Sequence, residues 1–586
     1  MPGPYGGKAA GLAPGLAGRG PAPLCYSRNL RKADLTFPDA PRWLNAVLLA
    51  LAGLFLLGLF STELADTDAW WHLASGRYIA QMHRLPTPDP FAYTTAVARD
   101  VYPGEAATRR FNLTHEWLAQ LSMYGFEVAG GMGAVVLWKA LLLTLLCAAV
   151  GWTAARRTGS LLWGVAAALG ATALAIEFAH DRPSILSYVF PAVFLAICER
   201  GRRLWLLPAL SLVWANCHGG FFVGWVTVGA YTAEALLRRA ADGRRWLVTS
   251  LATIAISGAN PNGFGALEAV LRYRHSPLQA SLMEWMPASL WGSPYAFDLL
   301  LYGAALAMIL SWRRVRPADW LLAGAFTAAS LAAFRNEMLI GVLAPILIAD
   351  YFPWKRRLPR AAHYVVAAAL AAGMVWGAGT GRFFQLRAAE WRFPVEAARF
   401  LREYGIRGPL FNTYEYGGYL IWQGERVFID GRALSEQVFQ DYRVILGSPP
   451  GDAAREETLE RYGVTAILVN GFEYNSGVLY PLVPALTMEP GWHLIYEDPQ
   501  AMIFVRTPPP GVAALPAGQV DLHLENECRL HVERDPEFSL CARTLANLYL
   551  RVGDRERARR WLKFYLDHPY GDDPEARRAY VQLFER

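Results

Sequence analysis

The sequence is dominated by long apolar runs. The first, from Trp43 to Phe60, has no charged residue, and about 20 apolar residues suffice to cross a bilayer as a helix. No small-residue cleavage site follows before Glu63, so we expect a retained membrane helix rather than a signal peptide. Ten further runs lie near residues 132–153, 160–178, 184–199, 204–217, 219–237, 246–260, 294–312, 319–334, 337–353 and 361–380. The sequence therefore predicts a polytopic helical membrane protein with about eleven spans.

Composition agrees with this class. Of the 586 residues, 54% are hydrophobic and 18% are charged, which is too apolar for a soluble enzyme of this size. The 56 Lys and Arg residues exceed the 50 Asp and Glu residues only slightly. Such an excess does not indicate nucleic-acid binding unless it clusters on one face. We therefore exclude a wholly soluble protein and expect no nucleic-acid partner.

The distribution of Lys and Arg predicts the orientation, because cytoplasmic loops collect these residues. Residues 1–42, rich in Gly, Pro and Ala, are expected to be a disordered leader. If the leader is cytoplasmic, every basic cluster falls on its side: Arg156 and Arg157; Arg200, Arg202 and Arg203; Arg238, Arg239, Arg244 and Arg245; Arg313, Arg314 and Arg316; Lys355, Arg356, Arg357 and Arg360. The acids, histidines and two arginines of the other loops then form an extracytoplasmic working face.

The membrane domain is expected to span residues 43–380 and to be followed by an extracytoplasmic α/β domain over 381–507. Short apolar runs between turn signals predict strands at 409–412, 419–422, 427–430, 465–469 and 501–505, with helices at 395–404 and 453–462. A Pro-rich linker at 508–516 leads to a polar tail, 517–586, which resembles a single tetratricopeptide-type helix pair. Cys528 and Cys541 in this tail could pair in an oxidising compartment.

The first extracytoplasmic loop, residues 61–131, holds the leading candidates for chemistry. Asp66 and Asp68 follow the first helix directly, where a carboxylate can meet a lipid-linked substrate. Acids at a helix end could also be merely solvated, and the adjacent Trp70 and Trp71 suit an interfacial aromatic belt.

His72 continues the same polar and aromatic motif of the first loop, and Glu116 lies near the end of that loop. Glu116 could act as a second acid or a metal ligand. It could equally cap a helix or pair with Arg109.

Arginine presents a planar fork to phosphate oxygens, and Arg182 and Arg335 occupy short loops on the predicted outer side. Each could instead extend to the lipid headgroup layer. His218 interrupts apolar sequence at a depth where polar groups are tolerated if they line a cavity. Glu284 lies in a loop too long for a simple connector. Asp430 and Arg432 could form either a site at a strand end or an ion pair within a turn.

Together these features resemble the GT-C superfamily of integral-membrane glycosyltransferases, in its bacterial branch near the protein O-mannosyltransferase, aminoarabinose transferase and oligosaccharyltransferase families. The resemblance rests on a first helix followed by a long loop with Asp66-Thr67-Asp68, about eleven helices and a C-terminal outer domain, and covers residues 43–507. The motifs Asp-Thr-Asp-Ala-Trp-Trp-His, His-Glu-Trp-Leu, Asn-Cys-His-Gly-Gly-Phe, Asn-Pro-Asn-Gly and Phe-Ile-Asp-Gly-Arg look like a group of bacterial membrane proteins. The Trp-Trp-Asp-Tyr-Gly motif of oligosaccharyltransferases is missing, so asparagine-linked transfer is not implied.

The resemblance implies transfer of a sugar from a polyprenyl-phosphate donor to a glycan, lipid or protein acceptor at the outer face of a bacterial cytoplasmic (inner) membrane. Asp66 or Asp68 would be the general base of an inverting reaction. Arg182, His218 and Arg335 would offset charge on the leaving phosphate. A divalent cation, Mg²⁺ or Mn²⁺, held by Asp66, Asp68 and Glu116 is one option, because hard cations take carboxylate oxygens.

Two other functions remain open from the sequence. One is a transporter or flippase for a lipid-linked glycan, which usually places ionisable residues near the bilayer midplane and contains internal repeats. The other is a non-catalytic scaffold for envelope assembly. The glycosyltransferase hypothesis makes a geometric prediction: Asp66, Asp68, Arg182, His218 and Arg335 should line one cavity.

Overall fold

The computed structural model describes residues 40–272, 283–291, 295–354, 358–432, 434–474, 476–568 and 573–584. Residues 1–39 of the predicted leader and the basic residues Lys355, Arg356 and Arg357 lie outside the described residues.

Each of the eleven apolar runs contains a helix. Among the described residues up to 380, the α-helices are α1 (Arg42–Phe60), α2 (Ala69–Met82), α3 (Glu105–Thr114), α4 (Trp117–Thr158), α5 (Leu161–Ala175), α6 (Leu186–Arg200), α7 (Leu206–Ala215), α8 (Phe222–Leu237), α9 (Gly243–Ser257), α10 (Gly265–Arg272), α11 (Tyr295–Leu310), α12 (Pro317–Ala332), α13 (Met338–Tyr351) and α14 (Arg360–Gly379). Helices α2, α3 and α10 lie outside the apolar runs.

Helix α4 is long because it joins a loop segment to an apolar segment. Its backbone is non-helical at Gly130 and Gly131, and Gly131 has a positive φ of 63°, which glycine adopts without steric cost. The helix therefore changes direction where the predicted apolar run begins.

Five helices among the described residues are long and apolar enough to cross a bilayer: Arg42–Phe60, Glu105–Thr158, Pro183–Arg200, Gly219–Leu237 and Arg360–Gly379. Leu161–Ala175, Leu206–Ala215 and Tyr295–Leu310 are apolar but shorter. A helix of 15 residues extends only about 22 Å, against a hydrocarbon core of about 30 Å. The structure supports a membrane protein, and the number of eleven spans stays a prediction.

The C-terminal part contains helices α15 (Val395–Glu403), α16 (Tyr414–Trp422), α17 (Glu436–Gly447), α18 (Ala453–Arg461) and α19 (Leu482–Met488), with strands β1 (Leu410–Asn412), β2 (Ala466–Val469), β3 (His493–Glu497) and β4 (Met502–Val505). The sheet order is β1-β2-β4-β3. Strand β1 pairs with β2 in parallel, Leu410 opposite Ala466, and the other pairs are antiparallel. Three of the five predicted strands are present.

The strand predicted at 419–422 is wrong, because these residues form the second half of α16. Gly417 and Gly418 explain the difference. A Cβ at Gly417 would lie 2.2 Å from the Ile429 carbonyl oxygen, and one at Gly418 would lie 2.5 Å from that of Thr67. The two glycines let this helix approach backbone on two sides. The run at 427–430 makes only an isolated bridge, between Val427 and Ala92.

The two faces of the sheet pack against different parts of the chain. Alternate residues of a strand point to opposite faces. Ile467 and Phe504 join a core cluster with α17 and the tail helices, whereas Leu468 and Ile503 join a cluster with Trp70 and Trp71 of α2. The sheet thus connects the tail to the first loop of the membrane domain.

The tail contains α20 (Gly518–Arg534), α21 (Leu540–Arg551), α22 (Arg555–Leu566) and α23 (Pro574–Phe584). Cys528 and Cys541 form a disulfide between α20 and α21. Both cysteines and Ala546 are buried in the cluster that covers one face of the sheet. The tail helices therefore share a hydrophobic core with the α/β domain.

Candidate functional site

A cavity of about 720 Å³ lies where α2, the start of α4 and several connecting loops meet the C-terminal part. It brings together residues that the sequence singled out: Asp68, His72, Glu116, Arg182, His218, Glu284, Arg335 and Arg432. Asp66 does not line the cavity but contacts the cavity residue Arg182. Residues separated by more than 260 positions in the chain thus line one space.

Four of these side chains are presented by short 3₁₀ turns, three of which run into a long helix. Arg182 precedes the turn Pro183–Ile185 and His218 precedes Gly219–Phe221, and α6 and α8 begin directly after them. Arg335 lies in the turn Phe334–Asn336 before α13, and Glu284 lies in Met283–Trp285. A 3₁₀ turn is tighter than a turn of α-helix. In three of the four cases it therefore holds the side chain close to the first residue of the next helix.

Arg182 bridges the two aspartates of the first loop. Its Nε lies 2.9 Å from Asp66 Oδ2, and its Nη1 lies 2.8 Å from Asp68 Oδ2. The Asp68 backbone N–H donates to Asp66 Oδ1 at 3.0 Å, which is an Asx-type turn. The loop and the arginine therefore hold the two carboxylates in a fixed relative orientation.

The two carboxylates differ in their acidity. Burial raises the pKa of Asp68 to about 7, with Arg182 opposing the shift and Asp66 adding to it. For Asp66, burial also acts to raise the pKa, but Arg182 and His180 outweigh it and hold the pKa below its usual value. Two like charges at close range cannot both ionise easily. When the pair holds one proton near neutral pH, that proton therefore lies on Asp68.

Asp68 is held from two further directions. Trp71 Nε1 donates to Asp68 Oδ1 at 3.0 Å. Gly431, from the C-terminal part, lies so close that a Cβ there would stand 1.9 Å from the same oxygen. The next residue, Arg432, is buried and pairs with Asp430 and Asp89, each at 2.7 Å. Of the two alternatives left open for Asp430 and Arg432, the ion pair is present, and Arg432 also lines the cavity. The pair holds Gly431 against Asp68.

Arg335 and Glu284 form a second charged group on the cavity wall. Arg335 Nη1 lies 3.2 Å from Glu284 Oε1, and its guanidinium carbon lies 4.7 Å from the centre of the Trp285 ring. Arg335 is only partly exposed, and its guanidinium retains donors beyond the one facing Glu284. Arg335 can therefore bind an anion that enters the cavity.

Three histidines surround Glu116. His115 Nε2 and His218 Nε2 lie 3.6 and 3.7 Å from Glu116 Oε1, and His72 Nδ1 lies 3.7 Å from Oε2. The pairing of Glu116 with Arg109 is wrong, because Arg109 pairs with Asp100 at 2.9 Å.

The donor atoms of His115, Glu116 and His218 lie within 4.8 Å of one another, and they are the residues best suited to a metal. His115 Nδ1 lies 2.8 Å from the Phe111 carbonyl oxygen, so Nδ1 carries the proton and Nε2 is free to bind. Imidazole nitrogens suit Zn²⁺ and other transition metals better than Mg²⁺. Asp66 and Asp68 fit a hard cation poorly, because Arg182 already occupies the space between their carboxylates.

Sequence reasoning missed Ser187, which lines the cavity, and Lys139, which lies beside the site and pairs with the neighbour of Arg182. Lys139, in an apolar helix, pairs with Asp181 at 2.9 Å and is buried; a lone lysine within a membrane run is itself a signal. Ser187 lies 2.5 Å from His218 Nδ1. The interpretation of Trp70 and Trp71 as an interfacial belt is wrong, because both side chains are buried within the protein. Trp70 is buried, with Phe393 and Tyr419 packed edge-on against it.

No family model and no curated protein matches this sequence. Solved structures do match it. The archaeal oligosaccharyltransferase AglB of Archaeoglobus fulgidus, in complex with an inhibitory peptide and a dolichol-phosphate, superimposes with a TM-score of 0.50 at 11% identity, over 81% of this chain and 75% of that chain. The Archaeoglobus fulgidus oligosaccharyltransferase tethered with an acceptor peptide gives 0.51 at 12% identity over the same shares. The similarity is one of fold.

Proposed function

We propose that this chain is a membrane glycosyltransferase of the GT-C type, which moves a sugar from a polyprenyl-phosphate donor to an acceptor hydroxyl at the extracytoplasmic face of a bacterial cytoplasmic membrane. The observation that carries the proposal is the cavity that joins Asp68, Arg182 and Arg335 at one end of an apolar helix bundle. The fold supports it, and the similar AglB structure contains a dolichol-phosphate, a lipid phosphate of the same general kind.

In the proposed reaction Asp68 is the general base. Its carboxylate takes the proton of the acceptor hydroxyl while the hydroxyl oxygen bonds to the anomeric carbon. The bond from that carbon to the phosphate oxygen breaks on the opposite face, and the polyprenyl phosphate leaves with the electron pair, so the configuration inverts. A positioned base contributes typically about 10²–10⁴-fold. Asp66 is a positioning residue that holds Arg182.

Arg182 and Arg335 are proposed to bind the donor phosphate. Guanidinium N–H groups form charge-assisted hydrogen bonds to phosphate oxygens, and these strengthen as negative charge develops on the leaving group. His218 and His72 line the same cavity and would contact the sugar. Because these groups gather at one end of the bundle, a transporter with its site at the midplane is disfavoured.

The proposal is tested by mass spectrometry of lipid-linked sugars and envelope glycans. A strain without the gene is compared with strains that carry the wild type, Asp68→Asn or Asp100→Asn. Asp100 is a matched control, because it lies in the same loop and pairs with Arg109. We expect a lipid-linked sugar to accumulate without the gene and with Asp68→Asn only. Normal lipid and glycan profiles with Asp68→Asn would contradict the assignment.

A further inference from the structure

A second cavity, of about 260 Å³, lies at the opposite end of the helix bundle from the candidate site. We call it the arginine trough. Its walls come from α4 and α6, with Leu206 of α7 at one side, and are mostly apolar: Leu145, Ala149, Trp152, Val193, Ala196 and Ile197. Its mouth is formed by Arg200, Arg202 and Arg203. The trough shares no residue with the candidate site.

The trough runs along the two helices. The wall from Leu145 to Trp152 and the wall from Val193 to Arg200 each cover seven residue steps, or about 10 Å of helix. Leu145, at the far end from the arginines, is 49% exposed. The trough is therefore apolar and exposed at one end and cationic at the other.

The arginines at the mouth differ from their buried neighbours. Arg157 pairs with Glu199 at 2.6 Å and Asp319 at 2.9 Å, and Arg316 pairs with Glu199 at 2.7 Å. Those charges are neutralised inside the bundle. Arg200, Arg202 and Arg203 make no ion pair with any residue in the described part of the chain, and Arg202 and Arg203 are exposed. Their guanidinium groups are available to an external anion.

We propose that the arginine trough binds an anionic phospholipid, with its phosphate at the three arginines and part of an acyl chain along the apolar walls. Basic pockets between membrane helices on the cytoplasmic side suit anionic headgroups, and the predicted topology places this end on that side. A zwitterionic lipid brings an ammonium group that the arginines repel. A free phosphate would leave the apolar walls unused. The proposal is independent of the glycosyltransferase function.

The first test is native mass spectrometry of the full chain in detergent with added phosphatidylglycerol or phosphatidylcholine. We expect phosphatidylglycerol to bind at least about tenfold more tightly than phosphatidylcholine. Replacement of Arg200, Arg202 and Arg203 by Gln should remove this preference. The matched control replaces Arg239, Arg244 and Arg245, which lie outside the trough, and should keep it. Equal binding of the two lipids, or an unchanged preference in the trough variant, would overturn the proposal.

A second test separates a lipid from a free anion. Ala196→Trp fills the trough but keeps its charges, so phosphatidylglycerol should bind at least about tenfold more weakly, since the acyl chain loses its apolar contact. Millimolar inorganic phosphate should not displace the lipid from the wild type. Full displacement by phosphate, or wild-type lipid affinity in Ala196→Trp, would show that the apolar walls play no part and would overturn the lipid assignment.

Discussion

Asp68 is the residue on which the proposed chemistry depends. Because burial raises its pKa to about 7, about half of the molecules carry it protonated at neutral pH. A general base must be ionised to accept a proton. The rate should therefore rise with pH through a midpoint near 7, and Asp68→Asn should reduce the rate by about 10²-fold or more.

The pH profile also distinguishes the two aspartates. The negative charge of Asp66 raises the pKa of Asp68, so Asp66→Asn should move the midpoint to lower pH. The measurement is the rate of sugar transfer by the purified protein between pH 5 and 9. If the midpoint stays unchanged in Asp66→Asn, the pH dependence does not arise from this pair of aspartates, and the account is contradicted.

Gly431 tests whether the C-terminal part positions the base. An added Cβ would lie 1.9 Å from Asp68 Oδ1 and 3.1 Å from Trp71 Nε1, so Gly431→Ala must displace one of them. A displacement of about 1 Å can cost about 10²-fold in rate, and we expect at least a tenfold loss with thermal stability nearly unchanged. Gly447→Ala is the control, because a Cβ there meets open space. Equal activity of the two variants would contradict the positioning role.

At the scale of elements, the site is built from turns at helix ends. Ten of the eleven apolar runs matched the bounds of a helix within a few residues, because a sustained apolar composition by itself marks such a helix. The run at 132–153 is part of the longer helix α4. The same runs did not reveal the 3₁₀ turns that aim Arg182, His218 and Arg335 into the cavity. Turn geometry depends on what packs against it, as Ser187 packs against His218, and periodicity carries no such information.

The ion pair of Lys139 with Asp181 links helix α4 to the loop before Arg182. Lys139→Met leaves Asp181 buried without its partner, and removing one member of a buried pair costs about 3–5 kcal/mol. Thermal unfolding in detergent should show this loss, and the double variant Lys139→Met/Asp181→Asn should regain most of it. Lys563→Met is the control, because its pair with Asp567 is exposed and exposed pairs contribute little. A double variant as unstable as the single would contradict this account.

The cluster of His115, Glu116 and His218 brings together the end of α3, the start of α4 and the turn before α8. We expect the purified wild type to bind Zn²⁺ in equilibrium dialysis, since its donors suit that ion. Substituting Ala for both histidines should abolish the binding, whereas Asp66→Asn should leave it intact. Metal binding that depends on Asp66 and not on the histidines would instead favour the carboxylate set predicted from the sequence.

At the scale of the whole molecule, the sequence predicted a membrane domain followed by an α/β domain but not how they meet. Arg432 contacts Asp89 across 343 positions, and the Asn112 amide donates to the Arg432 carbonyl oxygen at 3.1 Å. Such contacts join the loop at residues 61–131 to the C-terminal part of the chain. They depend on packing between distant segments, which no local pattern encodes.

The wall of the cavity is therefore shared by both halves of the chain. Gly431 and Arg432 contribute to it from the C-terminal part, and the sheet behind them packs on Trp70 and Trp71. Deletion of the C-terminal part should remove activity even though the membrane helices remain.

The most direct measurement uses the lipid-linked sugar that accumulates in a strain without the gene. This lipid is extracted and incubated with purified wild type, Asp68→Asn or Asp100→Asn, and mass spectrometry follows the free polyprenyl phosphate and the transferred sugar. The account predicts that wild type and Asp100→Asn release polyprenyl phosphate and form the product, while Asp68→Asn is slower by about 10²-fold or more. Release at the wild-type rate by Asp68→Asn, or no release by the wild type, would contradict it.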